Sequence, residues 1–313
     1  MKSAWIRILK VRLSSSKTHK QIEFGDDYGL KVDCTGHKYL SASKDEFVVK
    51  IYNLDYAWIV KLIADGYDTI EIFTGYKSFH SEPKRIFRGG ILDISNDRDL
   101  DTNVCVLVCT SVLVARQNSR LLNLTLKSGI NMYSALKYIA KKAGIQNPSI
   151  SESLKNRFTQ DSIVVGGNTS SVFDQLSKST DYLSTSSDSS EGAGLNIYSL
   201  SSKMSRLVEV TPKSGLVMGR PQLTSDGLTI EALPTFNFVP GDWIHIDNAL
   251  INFSFSSKSD ALKQQSTLNQ MDSSGIYIVW DIAYSLSNAN GDFKQTLRCK
   301  SKSLMTGGLS NNG

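Results

Sequence analysis

The feature that most constrains this chain is a polar–apolar alternation with a period of two. That alternation places successive side chains on opposite faces of an extended backbone and suits half-buried β-strands. Trp5 to Leu13, Lys50-Ile-Tyr-Asn-Leu, Thr69-Ile-Glu-Ile-Phe and Ile91-Leu-Asp-Ile read as short strands. So do Leu228-Thr-Ile-Glu-Ala-Leu, Trp243-Ile-His-Ile and Ile276-Tyr-Ile-Val-Trp. Turn pairs punctuate them at Asp65-Gly66, Thr74-Gly75, Asp226-Gly227, Pro240-Gly241 and Asn290-Gly291. Many short strands joined in this way predict a barrel or sandwich architecture.

One stretch changes period. From Ser128 to Gly144, residues Ile130, Tyr133, Ala135, Leu136, Ile139 and Ala140 fall on or near one helical face. Ser128 or Asn131 suits the helix start, and Lys141, Lys142 and Gly144 suit its end. A shorter helix is expected over Thr169–Leu183, where Val172, Phe173, Leu176 and Leu183 recur at helical spacing. The Ser-rich run from Ser184 to Gly194 reads as an exposed loop, and Leu195–Leu200 as a strand. The expected fold class is therefore mainly β with an α/β insertion: two tube-like β-barrel domains separated by a small helix-containing domain. Boundaries fall at 1–118 for the first barrel, 119–206 for the α/β domain with its Ser-rich loop, and 207–302 for the second barrel. Residues 303–313 are expected to form a flexible tail.

The two β-rich regions carry the same landmarks in the same order. Ile51-Tyr-Asn-Leu54, Gly66-Tyr-Asp-Thr-Ile-Glu-Ile, Asp93-Ile94 and Leu107-Val-Cys109-Thr-Ser111 mark the first. Ile230-Glu-Ala-Leu233, Gly241-Asp-Trp-Ile-His-Ile, Asp281-Ile282 and Leu297-Arg-Cys299-Lys-Ser301 mark the second. Spacing differs most between the second and third landmarks, where the second region has a polar insertion around Ser254–Ser274. An internal structural repeat is the expectation.

Composition narrows the functional classes. Over 313 residues the net charge is only +5, from 35 basic and 30 acidic residues. The densest basic stretches, Arg7–Lys20 and Lys294–Lys302, are diluted by Ser, Thr and apolar residues, unlike a dedicated duplex-binding face. No apolar run reaches membrane-spanning length. The N-terminus is too charged for a signal-peptide core, so a protein used without secretion is expected.

The four cysteines are Cys34, Cys105, Cys109 and Cys299. Cys105 and Cys109 lie in a β-branched run on one strand face and read as small buried hydrophobes. Cys34 with His37 has metal-like spacing, but no second pair follows it, which argues against zinc. His19, His37, His80 and His245 lie outside any catalytic motif, and nothing selects a Ser–His–Asp triad. No carboxylate pair is marked as acid and base. Gly89-Gly90 and Gly166-Gly167 lack the Lys-Ser/Thr of a phosphate loop. No catalytic, cofactor-binding or metal residue is therefore assigned, and the chain is read as a non-enzyme. Exposed aromatics, with Tyr56, Trp58, Tyr67 and Tyr76 as candidates, keep open a β-barrel nucleic-acid or carbohydrate binding module; core or subunit interface is the plainer reading of the same residues.

Several segments together resemble the baseplate hub family of contractile-tailed bacteriophages, also called tail hub or late control proteins. In the first barrel they are Phe47–Leu54, Ala64–Tyr76 and Arg85–Ile91. In the second they are Ser214–Pro221, Asp226–Leu233, Phe238–Asp242 and Gly275–Val279. The likeness runs from about Trp5 to Ser301 and rests on order and spacing rather than on a single motif. It departs at Leu233-Pro-Thr-Phe-Asn-Phe, where the family carries a leucine-leucine-asparagine-proline type of turn.

The resemblance implies a homotrimer whose six barrels match a sixfold tail tube above and a trimeric spike below. The implied partners are the tail tube or a tube-initiator protein, the spike, other baseplate proteins, and transiently DNA and tape-measure protein in the channel. The implied location is the virion tail baseplate, assembled in the host cytoplasm, with no cofactor and no membrane span. A distal tail protein, or the hub of a phage-like injection or secretion device, is the alternative within the same machinery.

Overall fold

The structure is a computed structural model. It describes residues 6–25, 29–40, 45–77, 82–99, 102–111, 121–145, 148–179, 182–189, 192–199, 207–211, 218–236, 238–253 and 269–301. His80, the tail at 303–313 and most of the polar insertion after Ser254 lie outside these residues.

Strands make up 53% of the chain and helices 17%, so the mainly β expectation with a helix-containing insertion holds. The N-terminal region contains β1 (Arg7–Ser14), β2 (Gln21–Gly25), β3 (Val32–Tyr39), β4 (Glu46–Tyr52), helix α1 (Tyr56–Ala64), β5 (Thr69–Tyr76), β6 (Lys84–Asp99) and β7 (Thr102–Ser111). The middle region contains β8 (Leu121–Leu126), α2 (Met132–Lys142), β9 (Ser149–Ile150), β10 (Ile163–Asn168), α3 (Thr169–Ser179), β11 (Tyr182–Ser189) and β12 (Gly192–Ser199). The C-terminal region contains β13 (Leu207–Glu209), β14 (Gln222–Thr224), β15 (Gly227–Ala232), β16 (Trp243–His245), β17 (Ile276–Ser287) and β18 (Phe293–Ser301).

The N- and C-terminal strands do not form two separate sheets. They build one 13-stranded sheet in the order β14-β15-β18-β17-β3-β4-β7-β6-β5-β1-β2, with β16 joining β17 and β13 joining β16. Among the described residues the ladder is open at both ends, so no closed barrel is traced. The apolar faces of both regions share one core, in which Phe47, Phe87, Tyr284, Leu228 and Leu297 are buried together.

The middle region keeps its own core. Helix α2 starts at the expected cap: the Asn131 side chain accepts from the Ser134 amide at 3.1 Å. Its apolar stripe buries Ala135, Leu136, Ile139 and Ala140. Helix α3 buries Val172, Phe173 and Leu176 as expected, but ends at Ser179, and Leu183 belongs to β11.

Three local expectations are corrected, and one helix is added to them. The Ser-rich run is largely an antiparallel hairpin of β11 and β12, registered from Tyr182 opposite Ser199 to Ser189 opposite Gly192. Backbone pairing carries a ladder whatever the side chains, so polarity alone did not mark it as a loop. Thr74-Gly75 is no turn, because Gly75 pairs with Ile8 inside β5. The strand begun at Lys50 stops at Tyr52, since Asn53 takes a left-handed backbone (φ 59°) that asparagine tolerates. Helix α1 went unanticipated. Asp55 caps it, accepting from the Ala57 amide at 3.3 Å, and only Ile59 and Leu62 are buried.

Candidate interaction surfaces

One strand arrangement occurs twice. In the N-terminal region the order is β4-β7-β6-β5; in the C-terminal region it is β15-β18-β17-β16. The registers agree residue by residue. Ile91 faces Cys109, Leu92 bulges out, and Asp93 and Ile94 face Val108 and Leu107. Val279 faces Cys299, Trp280 bulges out, and Asp281 and Ile282 face Arg298 and Leu297.

Each bulge is followed by the Asp-Ile pair that the sequence flagged. The equivalence extends to a loop bond: the Ile91 amide donates to the Asp68 carbonyl at 2.9 Å, and the Val279 amide to the Asp242 carbonyl at 2.8 Å. The first landmark needs a shift of two residues, because Val49, rather than Ile51, faces Leu107 as Ile230 faces Leu297. The two copies also differ at one side, where β1 pairs antiparallel to β5 but β13 pairs parallel to β16.

The two copies meet at a seam. After its bulge, β17 leaves β16 and pairs antiparallel with β3, from Asp281 opposite Tyr39 to Ser287 opposite Asp33. The Phe47 ring stacks on Phe87 at 4.1 Å and reaches across to Tyr284 at 5.5 Å. The ring lies where a Cβ on Gly36 would stand, 2.3 Å from it, so only glycine fits there.

At one end of the seam Asp281, whose side chain is 4% exposed, faces Arg298 at 3.2 Å and His37 Nδ1 at 3.5 Å. Burial first, and then the Asp281 charge, push the neighbouring Tyr39 phenol upward. Further polar clasps hold the regions together. The Asn288 side chain donates to the Leu30 carbonyl at 2.9 Å and accepts from the Val32 amide at 2.8 Å. The Thr74 hydroxyl donates to the Pro234 carbonyl at 2.6 Å.

The outward face of β6, β5, β1 and β2 carries a row of alternating charge. Arg88 stands opposite Glu71, Glu71 opposite Arg12, and Arg12 opposite Glu23. Glu71 accepts from Arg85 at 2.8 Å and from Arg12 at 3.4 Å, while Arg12 Nε donates to Glu23 at 2.7 Å. The bond to Glu23 is the main cause raising the Arg12 pKa. Partial burial pushes the Glu23 carboxyl up, but the hydrogen bonds from Lys10 and Arg12 outweigh it and hold the group below its ordinary value. Beside this row lies an open cleft of ≈ 420 Å³ lined by Ser14, His19, Lys20, Thr69, Arg85 and Arg88. Its cations lean on Glu71 and Asp65, so it is a polar groove of mixed sign.

The aromatic candidates divide. Tyr67 and Tyr76 are core residues, 9% and 5% exposed, with Tyr76 set edge-on to Phe293. Tyr56 and Trp58 lie on α1 at 60% and 42% exposure, beside Val60 and Ile63, also exposed. An aligned row of stacking platforms is therefore not assembled from these four.

The remaining candidates stay apart. Cys34 points into the core while His37 points to the opposite face of β3, so this pair does not converge on a metal. All four cysteines are free and buried. His245 Nδ1 lies 2.8 Å from Glu209 across the β13–β16 pair, and His19 sits in the β1–β2 turn with φ 56°. A Cβ on Gly89 would run into the Phe87 ring and the Thr110 carbonyl inside the sheet, and Gly166 lies in β10.

No family model and no curated protein sequence matches the chain. Solved structures do. The 43 kDa tail protein of prophage MuSo2 from Shewanella oneidensis aligns over 96% of this chain and 98% of its own, with a TM-score of 0.54 at 8% identity. A tail protein from Neisseria meningitidis aligns over 96% and 98%, with a TM-score of 0.52 at 12% identity. An Escherichia coli component of the type VI secretion system, itself described as structurally similar to two bacteriophage T4 tail proteins, aligns over 87% and 73%, with a TM-score of 0.50 at 7% identity. This chain therefore has the fold of phage tail proteins.

Proposed function

We propose that this protein is the structural hub of a contractile phage tail baseplate: a trimeric adapter that joins a sixfold tail tube to a threefold central spike and lines the channel for DNA. The observation that carries the reading is the doubled β4-β7-β6-β5 arrangement, repeated with the same bulge as β15-β18-β17-β16. Three chains with two such modules each present six similar units to a sixfold neighbour while keeping threefold symmetry for a spike. The whole-length likeness to tail proteins supports the same assignment. The segments 1–118, 119–206 and 207–302 act in this reading as first module, helix-containing spacer and second module.

The role is one of shape and interface, without catalysis, cofactor or metal. Its partners are the tube or tube-initiator protein, the spike and neighbouring baseplate proteins, in a virion tail assembled in the host cytoplasm. The likeness to a type VI secretion component favours a second reading, the hub of a phage-like injection device.

Light scattering on the purified chain, followed by electron microscopy of the intact particle, tests the proposal. A trimer on the particle axis, between tube and spike, is expected. A stable monomer absent from that axis sinks it.

A further inference from the structure

On the folded chain, the basic stretches that are densest in sequence are the ones met by acids. Within Arg7–Lys20, Lys10 and Arg12 hold Glu23, Arg12 also reaches Glu71, and Lys20 meets Asp65. Within Lys294–Lys302, Lys294 takes Glu231 and Arg298 takes Asp281. A third basic segment behaves differently. Residues 127–157 carry six basic residues, Lys127, Lys137, Lys141, Lys142, Lys155 and Arg157, and a single acidic one, Glu152. That one acid pairs with Lys155.

Helix α2 sets three of these lysines in a row. Its buried positions are Met132, Ala135, Leu136, Ile139 and Ala140, so the core takes one side. Ser134, Lys137, Tyr138, Lys141 and Lys142 are exposed on the other, at spacings that share a helix face. No carboxylate among the described residues pairs with Lys137, Lys141 or Lys142.

Helix stability does not call for this arrangement. Lys141 and Lys142 stand in the last turn, where the macrodipole favours cations. Lys137 sits in the middle of the helix, and the first turn holds no acid. Instead Lys155 lies over the Tyr133 ring there, 5.2 Å from its centre, where the dipole opposes a cation. A face that only has to meet water gains from acids interleaved with its bases, and this one has none.

We propose that the row of Lys137, Lys141 and Lys142 is a docking face for an acidic polypeptide, a helix of another protein with carboxylates one turn apart. Lys137 and Lys141 are four residues apart, about 6 Å along the axis, which matches Glu or Asp at i and i+4 on a partner helix. Other polyanions fit less well. The row has no arginine, the side chain that grips phosphates with a two-pronged fork. Tyr138, the one ring beside it, has the Lys142 ammonium 5.6 Å from its centre rather than an open face for a base. A lipid surface takes up apolar side chains, and those of α2 are buried in the core. The hub reading makes the partner a neighbouring tail protein; the row and its chemistry do not depend on that reading.

Titration of fluorescent poly-L-glutamate with the full-length protein tests the face. Two triple variants are compared: Lys137→Gln/Lys141→Gln/Lys142→Gln, and Lys17→Gln/Lys50→Gln/Lys77→Gln at exposed sites elsewhere. The first should bind about tenfold more weakly than the parent and with a shallower salt dependence, and the second like the parent. Equal weakening in both, or no binding by the folded parent, overturns the face. Tighter binding of oligo(dT) or phosphatidylglycerol vesicles through the same lysines overturns the choice of an acidic polypeptide. Within tails, Lys137→Glu/Lys141→Glu should block assembly, and suppressors should exchange an acid for Lys or Arg in another tail protein. Suppressors confined to this chain, or tails formed in normal yield, sink the proposal. Poly-L-glutamate binding through the row by a chain absent from the tail axis keeps the docking face and refutes the hub.

Discussion

Asp93 and Asp281 occupy the same position in two copies of one strand arrangement, each the first residue after a one-residue bulge, yet one is exposed and the other is 3% exposed. The difference is the presence of β3, which covers Asp281 and brings His37 and Tyr39 to it. A carboxylate at the bulge is thus compatible with an open edge and with a closed one, where Arg298 of β18 lies 3.2 Å from it.

Truncating Arg298 removes the guanidinium 3.2 Å from the buried Asp281 carboxylate and leaves it beside the His37 ring at 3.5 Å. Arg298→Ala is expected to cost about 1–3 kcal/mol, because a buried charge loses a partner. Asp281→Asn in the Arg298→Ala background should recover part of that loss. Asp93→Ala should change stability by less than about 0.5 kcal/mol, as exposed positions do. Urea denaturation of the three variants beside the parent chain checks the set; equal costs for Asp93→Ala and Arg298→Ala would contradict it.

Phe47 and Gly36 are matched across β3 and β4. Phe47→Ala removes a fully buried ring and should cost about 3–5 kcal/mol. Gly36→Ala drives a methyl group into that ring and should cost about 1–3 kcal/mol. Phe47→Leu should reduce the penalty of Gly36→Ala, a coupling that a double-mutant cycle reads directly.

Glu71 holds the centre of the outer charge row, its side chain 14% exposed among Arg12, Arg85 and Arg88. Glu71→Ala leaves these cations repelling one another and should cost about 1–2 kcal/mol, more at low salt than at high. Thermal melts at two ionic strengths measure the effect. A loss independent of salt would point to packing rather than charge.

Glu23 is held below its ordinary carboxyl value of 4.5, so protons bind it more weakly in the folded state than in the unfolded. Its contribution to stability is therefore present above pH 4.5 and is lost as pH falls through the lower folded value. Melting temperature should decline on acidification, and Glu23→Gln should lower the melting temperature above pH 4.5 and flatten the decline below it. A variant with the wild-type acid slope removes Glu23 from the explanation.

Burial pushes the Cys105 thiol up to about 11 and the Cys109 thiol up to about 12, and raises Cys34 and Cys299 as well. The thiolate is the reactive form, so a thiol reagent at pH 8 should label almost none of the four in the folded chain and all of them in denaturant. Rapid labelling of Cys105 or Cys109 in the native protein would contradict their placement in the core.

The sequence by itself determined the strands with strict alternation, the capped helix α2, the inward Cys105 and Cys109 and the order of the repeated landmarks. Each of these is written in a local period or a local cap. Helix α1 was not legible, because eight of its nine residues are apolar or aromatic and leave no polar face to set a period. The Ser-rich hairpin was not legible for the opposite reason, since it has little apolar pattern at all.

Only the tertiary structure decided that β17 leaves β16 for β3 and so makes one sheet of two regions. It likewise decided which of two equivalent aspartates is buried. A period of two fixes which face of a strand is apolar. It does not say which strand lies beside it, because every backbone offers the same donors and acceptors at its edge, and the choice between them falls to long-range packing around Phe47 and Tyr284.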